Sequence, residues 1–179
     1  MDHDTWKYSS SYDDEYFPSL HDARAEKLEL EGDELRLFFP DGFKLLPGDP
    51  LNPYDDPRQT GPSQVVFSLL HSPDGNSDYD DFIFLELFHD HWFRPRRLFR
   101  GTDPFFTACS RPKVGKLTEK LNSGSWKLEF VSKFDHYDVG YLYECYIHTK
   151  RRLLYRCYLT VDCRKVRFYW NEVSEEPAW

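Results

Sequence analysis

Residues 125–172 read SWKLEFVSKFDHYDVGYLYECYIHTKRRLLYRCYLTVDCRKVRFYWNE, and their alternation decides the fold class. Trp126, Leu128 and Phe130 share one parity, as do Tyr141, Tyr143, Cys145 and Ile147. So do Leu153, Tyr155, Cys157, Leu159 and Val161, and then Val166, Phe168 and Trp170. A period of two puts such residues on one face of a strand, so 125–172 is expected to form a four-strand antiparallel meander. A slip of one residue would turn an apolar row out to water, which lets the register be argued. A short loop at Lys150–Arg152 sets Cys145 opposite Cys157, Ile147 opposite Tyr155 and Tyr146 opposite Arg156. A two-residue loop at Cys163–Arg164 sets Val161 against Val166, Leu159 against Phe168, Tyr158 against Tyr169 and Thr160 against Arg167. Across the looser connection 133–140, Glu129 opposite Glu144 is disfavoured by like charge. A shift of two residues, bringing Lys127 to Glu144, is preferred.

Outward from this block, Leu28, Leu30, Leu35, Leu37 and Phe39 flank Glu31-Gly32-Asp33-Glu34 and predict a β-hairpin, followed by a turn at Asp41-Gly42. Gln64–Leu70 and Phe82–His89 are strand-like, and the second is apolar on both parities except at Glu86, as a central strand covered on both faces would be. Arg94–Arg100 is an edge strand or ordered turn because Pro95 cannot donate to a ladder. Lys113–Leu121 predicts one short helix, with Val114, Leu117 and Leu121 at helical spacing and Asn122-Ser123-Gly124 as its stop. Ser19-Leu20-His21-Asp22 suggests one helical turn or the start of a strand. Met1–Pro18 is an acidic aromatic arm, Pro47–Pro62 with its five prolines is loop, and 174–179 is a tail. The whole is expected to be a single, mainly β domain: an antiparallel curved sheet, a sandwich or an open barrel.

Composition narrows the classes further. Among 179 residues are 15 Phe, 12 Tyr and 5 Trp, so aromatic rings must supply much of the core volume. No apolar run approaches the ~20 residues that span a bilayer. Met1-Asp2-His3-Asp4 is acidic where a secretory signal would be basic and then apolar, so a cytoplasmic, non-membrane protein is expected. Cys109, Cys145, Cys157 and Cys163 fit no CxxC spacing and read as reduced thiols, with a Cys145–Cys157 disulfide conceivable only in an oxidising compartment. The sequence lacks a P-loop, GxGxxG and GxSxG, which excludes the families built on them, and no cofactor is expected. The net charge of −8 disfavours nucleic acid as a partner. It also conceals a split: residues 1–90 carry 21 acids and 6 bases, residues 91–179 carry 10 acids and 17 bases. The simplest use of that asymmetry is internal, with one half packed beside the other.

Three groups of residues carry possible chemistry. Tyr146, Arg156, Tyr158, Arg167 and Tyr169 would form a row on the outward face of the meander. Tyr and Arg are the residues that protein interfaces enrich at their centres, although a covering layer would make the row a second core. Asp78, Asp80 and Asp81 are solvated loop charge or an acidic docking surface for a basic partner. His89 and His91, flanking Asp90, would project from one face of a continuing strand as two metal ligands need to, but a third donor is unspecified and a wet hairpin turn explains them as well. The first functional expectation is a non-enzymatic protein-binding module. The alternatives are an enzyme with a site at His89, Asp90 and His91, with or without metal, and a small-ligand carrier with an apolar pocket between sheets.

Leu20-His21-Asp22-Ala23-Arg24, the hairpin at Leu28–Phe39 and Asp41-Gly42-Phe43 resemble the opening of a group of small uncharacterised bacterial proteins that begin with a Leu-His-Asp element and a β-meander. The resemblance covers residues 20–43. Some β-rich proteins of this size and style are immunity proteins of toxin systems, so it implies a protein partner and brings no catalytic residue with it.

Overall fold

The computed structural model describes residues 6–71, 78–89, 108–136 and 139–178. In chain order these form β1 (Tyr8–Ser11), β2 (Arg24–Ala25), β3 (Lys27–Glu31), β4 (Glu34–Phe39), β5 (Lys44–Leu45), β6 (Arg58–Thr60) and β7 (Ser63–Leu69). There follow β8 (Ile83–His89), β9 (Ala108–Ser110), helix α1 (Val114–Asn122), β10 (Trp126–His136), β11 (Gly140–Thr149), β12 (Leu154–Trp170) and β13 (Val173–Pro177). The strand pairs are antiparallel, so the molecule is mainly β; among the described residues there is one short α-helix, and the sheets do not close into a barrel.

The β11–β12 register argued from the alternation is the one observed. Cys145 faces Cys157, Ile147 faces Tyr155 and Tyr146 faces Arg156, the register set by the short turn between β11 and β12. The hairpin expected at Cys163–Arg164 is absent: β12 runs unbroken from Leu154 to Trp170. The apolar row changes from odd to even numbers because the ladder shifts register between Cys163 and Lys165, and one extra residue moves every later side chain to the other parity. A two-residue hairpin produces the same parity change, but Asp162-Cys163-Arg164-Lys165 has no Gly or Asn to take the positive φ such a turn needs. Val166 therefore pairs with Phe67, Arg167 with Val66, Phe168 with Val65 and Tyr169 with Gln64, instead of meeting the first half of their own strand.

Two sheets share this strand. Its first half lies between β11 and β8, and its second half between β7 and β1. Around the first half the sheet continues through β10 to β2 on one side and to β9 on the other; around the second it continues through β7, β4 and β3. Strands that pass from one sheet to another by a bulge are how such corners are made.

Two other expectations, the β10 register and the cover on both faces of β8, are corrected, and the segments read as arm, loop, tail and Ser19–Asp22 are filled in. Lys127 faces His148, and Glu129 faces Tyr146. Glu129 and Glu144 are therefore not opposite each other, and a bulge between Phe130 and Ser132 then brings Ser132 to Glu144. In β8, Phe84 is 38% exposed, so one face of that strand is open. The arm supplies β1, the loop 47–62 contains β6, and the tail supplies β13, which pairs with β6 beside β5. Ser19–Asp22 is no helical turn: Ser19 bridges to Lys44, Asp22 takes φ +65°, and its N–H donates to the Phe130 carbonyl at 2.8 Å.

Between the sheets the aromatic residues meet in sequence. The rings of Trp170 and Phe43, Phe43 and Phe39, Phe39 and Phe130, Phe130 and Tyr143, and Tyr143 and Phe67 lie 5.2–6.3 Å apart, mostly edge to face. Such pairs add about 0.5–1.5 kcal/mol each beyond the area they bury. Helix α1 seals one end with Val114, Leu117 and Leu121. Asn122 pins its last turn to β3 by accepting from the Leu28 N–H and donating to the Leu28 carbonyl, both at 2.9 Å. Gly124 at φ +62° then ends it as read.

Candidate functional site

The first half of β12 presents its even-numbered residues away from the core. Pairing on both sides extends them into rows across the sheet. One row runs Arg24, Glu129, Tyr146, Arg156, and the next runs Glu144, Tyr158, Glu86. A third is Leu142, Thr160, Phe84. Aromatic and β-branched side chains favour such pleated positions, which is why the sequence places them here without a turn or helix intervening.

Arg156 organises the centre. Its Nε lies 2.8 Å from Glu144 Oε1, its Nη2 donates to the Tyr158 hydroxyl at 2.8 Å, and the guanidinium stands 5.4 Å from the Tyr158 ring. Phe88 meets the Tyr158 ring edge to face with centroids 5.4 Å apart. Arg24 Nε donates to Glu129 Oε2 at 2.7 Å, and His148 Nε2 stands 2.7 Å from the same oxygen. Arg156 is exposed, as are Phe84 and Leu154, the last at 54%. Helix α1 packs on the opposite, inner side of the sheet through its three buried residues.

The structure brings together Tyr146, Arg156 and Tyr158 and separates them from Arg167 and Tyr169. The latter lie past the bulge on the same strand. Arg167 donates to Ser68 Oγ at 3.2 Å and to Glu34 Oε1 at 3.5 Å, and Tyr169 is only 8% exposed. Phe84, Phe88, Glu86 and Glu144 join the surface without having been singled out. Their signal was available, since Phe84 and Phe88 share the parity of Glu86, but the apolar residues on both sides of β8 hid it.

The acidic group is occupied locally. Asp78 accepts from the Tyr79 N–H at 2.7 Å and Asp81 from the Asp78 N–H at 2.8 Å, which closes a capping box on the 3₁₀ turn Tyr79–Asp81. Asp80 accepts from the Val114 N–H at 2.7 Å and so caps α1, whose own N-cap residue Lys113 makes no side-chain cap. The Lys113 ammonium stands 3.7 Å from Asp80. The two halves of the chain also neutralise each other. Arg111, Lys113, Lys127, Arg164, Lys165 and Arg167 pair with Glu86, Asp80, Glu26, Asp33, Asp13 and Glu34 respectively.

The His89–Asp90–His91 reading falls outside the described residues, apart from the backbone of His89. Among the described residues no three His, Cys, Asp or Glu side chains converge as a metal site requires. The exposed His21 sets Nδ1 2.7 Å from the Val131 carbonyl, and Lys44 beside Asp22 holds that carboxyl below its usual range, so both tie the Leu-His-Asp segment to its neighbours. Cys145, Cys157 and Cys163 are free buried thiols. Comparison with family models, with curated proteins and with solved structures found no match.

Proposed function

We propose that the chain is a non-enzymatic protein-binding module, acting in the cytoplasm, and that its partner docks on the outer face of β8, β12 and β11. The observation that carries this reading is the exposed Arg156 held between Glu144 and Tyr158, with Leu154 exposed two residues before it on β12 and Phe84 partly exposed two rows away on β8. Arg and Tyr anchors already fixed in place lose little freedom on binding, which is the cost that most limits association. The partner presents an apolar patch with an acceptor oxygen for the Arg156 donors not committed to Glu144 and Tyr158. The resemblance over residues 20–43 fits a partner of the toxin type, with this chain as its immunity protein. The sheet face is favoured over the acidic surface because Asp78, Asp80 and Asp81 spend oxygens on caps. It is favoured over a ligand carrier because Phe39, Phe43, Phe67, Phe130 and Tyr143 fill the space between the sheets.

Affinity capture from the native cells tests the surface. Arg156→Glu and Tyr158→Ser are expected to lose the retained partner, while Arg167→Glu, on the far half of the same strand, keeps it. Retention by all three variants, or loss only with Arg167→Glu, would overturn the assignment.

A further inference from the structure

On the other side of the sheet from that face, α1, the segment after β9 and the turn between β11 and β12 enclose a groove of about 690 Å³. Its floor is apolar and aromatic: Leu87, Trp126 and Tyr155, with Leu153 half exposed at the rim. Among the described residues its walls carry five bases and no acid: Arg111, Lys116, Lys120, Lys150 and Arg151. Lys116 and Lys120 stand four residues apart on one face of α1, an arrangement that costs a helix about 0.2–0.5 kcal/mol through like-charge repulsion.

The second half of the chain carries 17 bases against 10 acids, and the groove gathers five of those bases on one surface. Neighbouring acids neutralise only part of it. Glu119 lies 3.1 Å from Lys120, and Glu86 pairs with Arg111, which remains 74% exposed. Lys150 donates to the Ser123 carbonyl at 3.3 Å. Among the described residues Lys116 and Arg151 have no ion pair. The turn itself reads Lys150-Arg151-Arg152, with Arg152 at φ +59° where Gly or Asn would sit unstrained.

We infer that this groove binds a short acidic peptide segment of a partner protein, seating an apolar side chain on Trp126 and Tyr155 between carboxylates held by Lys116 and Arg151. The inference does not rest on the outer-face reading. Bases around an apolar floor match that chemistry in both charge and shape. A long nucleic-acid strand matches it less well, because the net charge of −8 opposes the binding of many phosphates.

The probe is a fluorescein-labelled peptide with two phenylalanines between runs of four glutamates, followed by anisotropy on the full chain. Binding that weakens with added salt is expected. Lys116→Glu and Arg151→Glu should each weaken it at least about tenfold, and Lys165→Glu, outside the groove, should leave it unchanged. Trp126→Phe is expected to abolish the change in tryptophan emission on binding while anisotropy still reports the complex. Failure of the acidic peptide to bind, equal binding of its glutamine counterpart, or indifference to both groove reversals would overturn the inference. Tighter binding of a labelled oligothymidylate would overturn it in favour of nucleic acid. Both reversed residues are exposed, so circular dichroism should match that of the parent chain and confirm that lost binding is not lost folding.

Discussion

Gly42 sits at φ +74° in the turn after β4, and a Cβ placed there would lie 2.3 Å from the Thr60 carbonyl oxygen and 2.4 Å from the Thr60 hydroxyl oxygen. The turn was legible from Asp41-Gly42, but the close approach of Thr60 was not, because it comes from a strand eighteen residues on. Gly42→Ala is therefore expected to destabilise by about 2–4 kcal/mol through combined φ strain and overlap, read as a lower urea midpoint at unchanged m. Arg152 is the converse case. Arg152→Gly relieves left-handed strain and is expected to raise stability by about 0.5–1 kcal/mol, less than the full strain because Gly also loosens the unfolded chain. Burial pushes the Cys163 thiol up to about 12, with Asp162 adding to the effect. The folded state then holds a proton that the unfolded state releases near pH 9, so this contribution is intact below pH ~9 and is lost as pH rises toward ~12. Melting temperatures from pH 8 to 11.5 should fall less steeply for Cys163→Ala than for the parent, whatever the constant offset from the cavity.

At the scale of elements, the sequence showed most where apolar and polar residues alternate on a half-covered sheet. The β3–β4 hairpin, the β11–β12 register and α1 follow from parity, turn residues and helical spacing. It showed least where one pattern has two structural solutions, as at Cys163–Lys165, where a bulge and a hairpin give the same change of parity and only turn chemistry distinguishes them. The proline-rich segment, read as loop, is a different case. Its order comes from side chains bonding to backbone, which periodicity does not register. Buried Asn52 donates to the Leu45 carbonyl at 3.2 Å and the Asp56 carbonyl at 3.0 Å, and Arg58 stacks on Tyr54 at 3.8 Å while donating to the Glu175 carbonyl. Asn52→Ala leaves buried acceptors without partners and is expected to cost about 1–3 kcal/mol, with faster amide exchange confined to β5, β6 and β13 as the local signature.

For the whole molecule, the bend in β12 decides how many surfaces there are. A hairpin at Cys163–Arg164 would have placed Tyr158 beside Tyr169 in one Tyr/Arg row. The continuous strand divides that row into an exposed patch around Arg156 and a region around Tyr169 that lies against β1 and β7. The candidate face was thus half legible: Tyr146 opposite Arg156 came from the register, whereas Phe84 and Phe88 required knowing that β8 lies beside β12. The N-terminal segment is held by the same long-range logic. Lys133 stands over the rings of Tyr12 and Tyr141 at 4.2 and 4.8 Å, and burial pushes the Tyr12 and Tyr143 phenols well above their usual range. These phenols favour the folded state in the same direction as Cys163, with stability lost as alkali ionises them.

A spin-label distance between positions 158 and 167 tests that division most directly. Tyr158→Cys and Arg167→Cys are labelled in a Cys109→Ser background, where the remaining native thiols are buried. A bent but unbroken strand at ~3.3 Å per residue predicts a separation of about 20–30 Å. A distance of roughly 10 Å or less would mean that the chain turns back at Cys163–Arg164, and would contradict both the shared strand and the surface assigned to it.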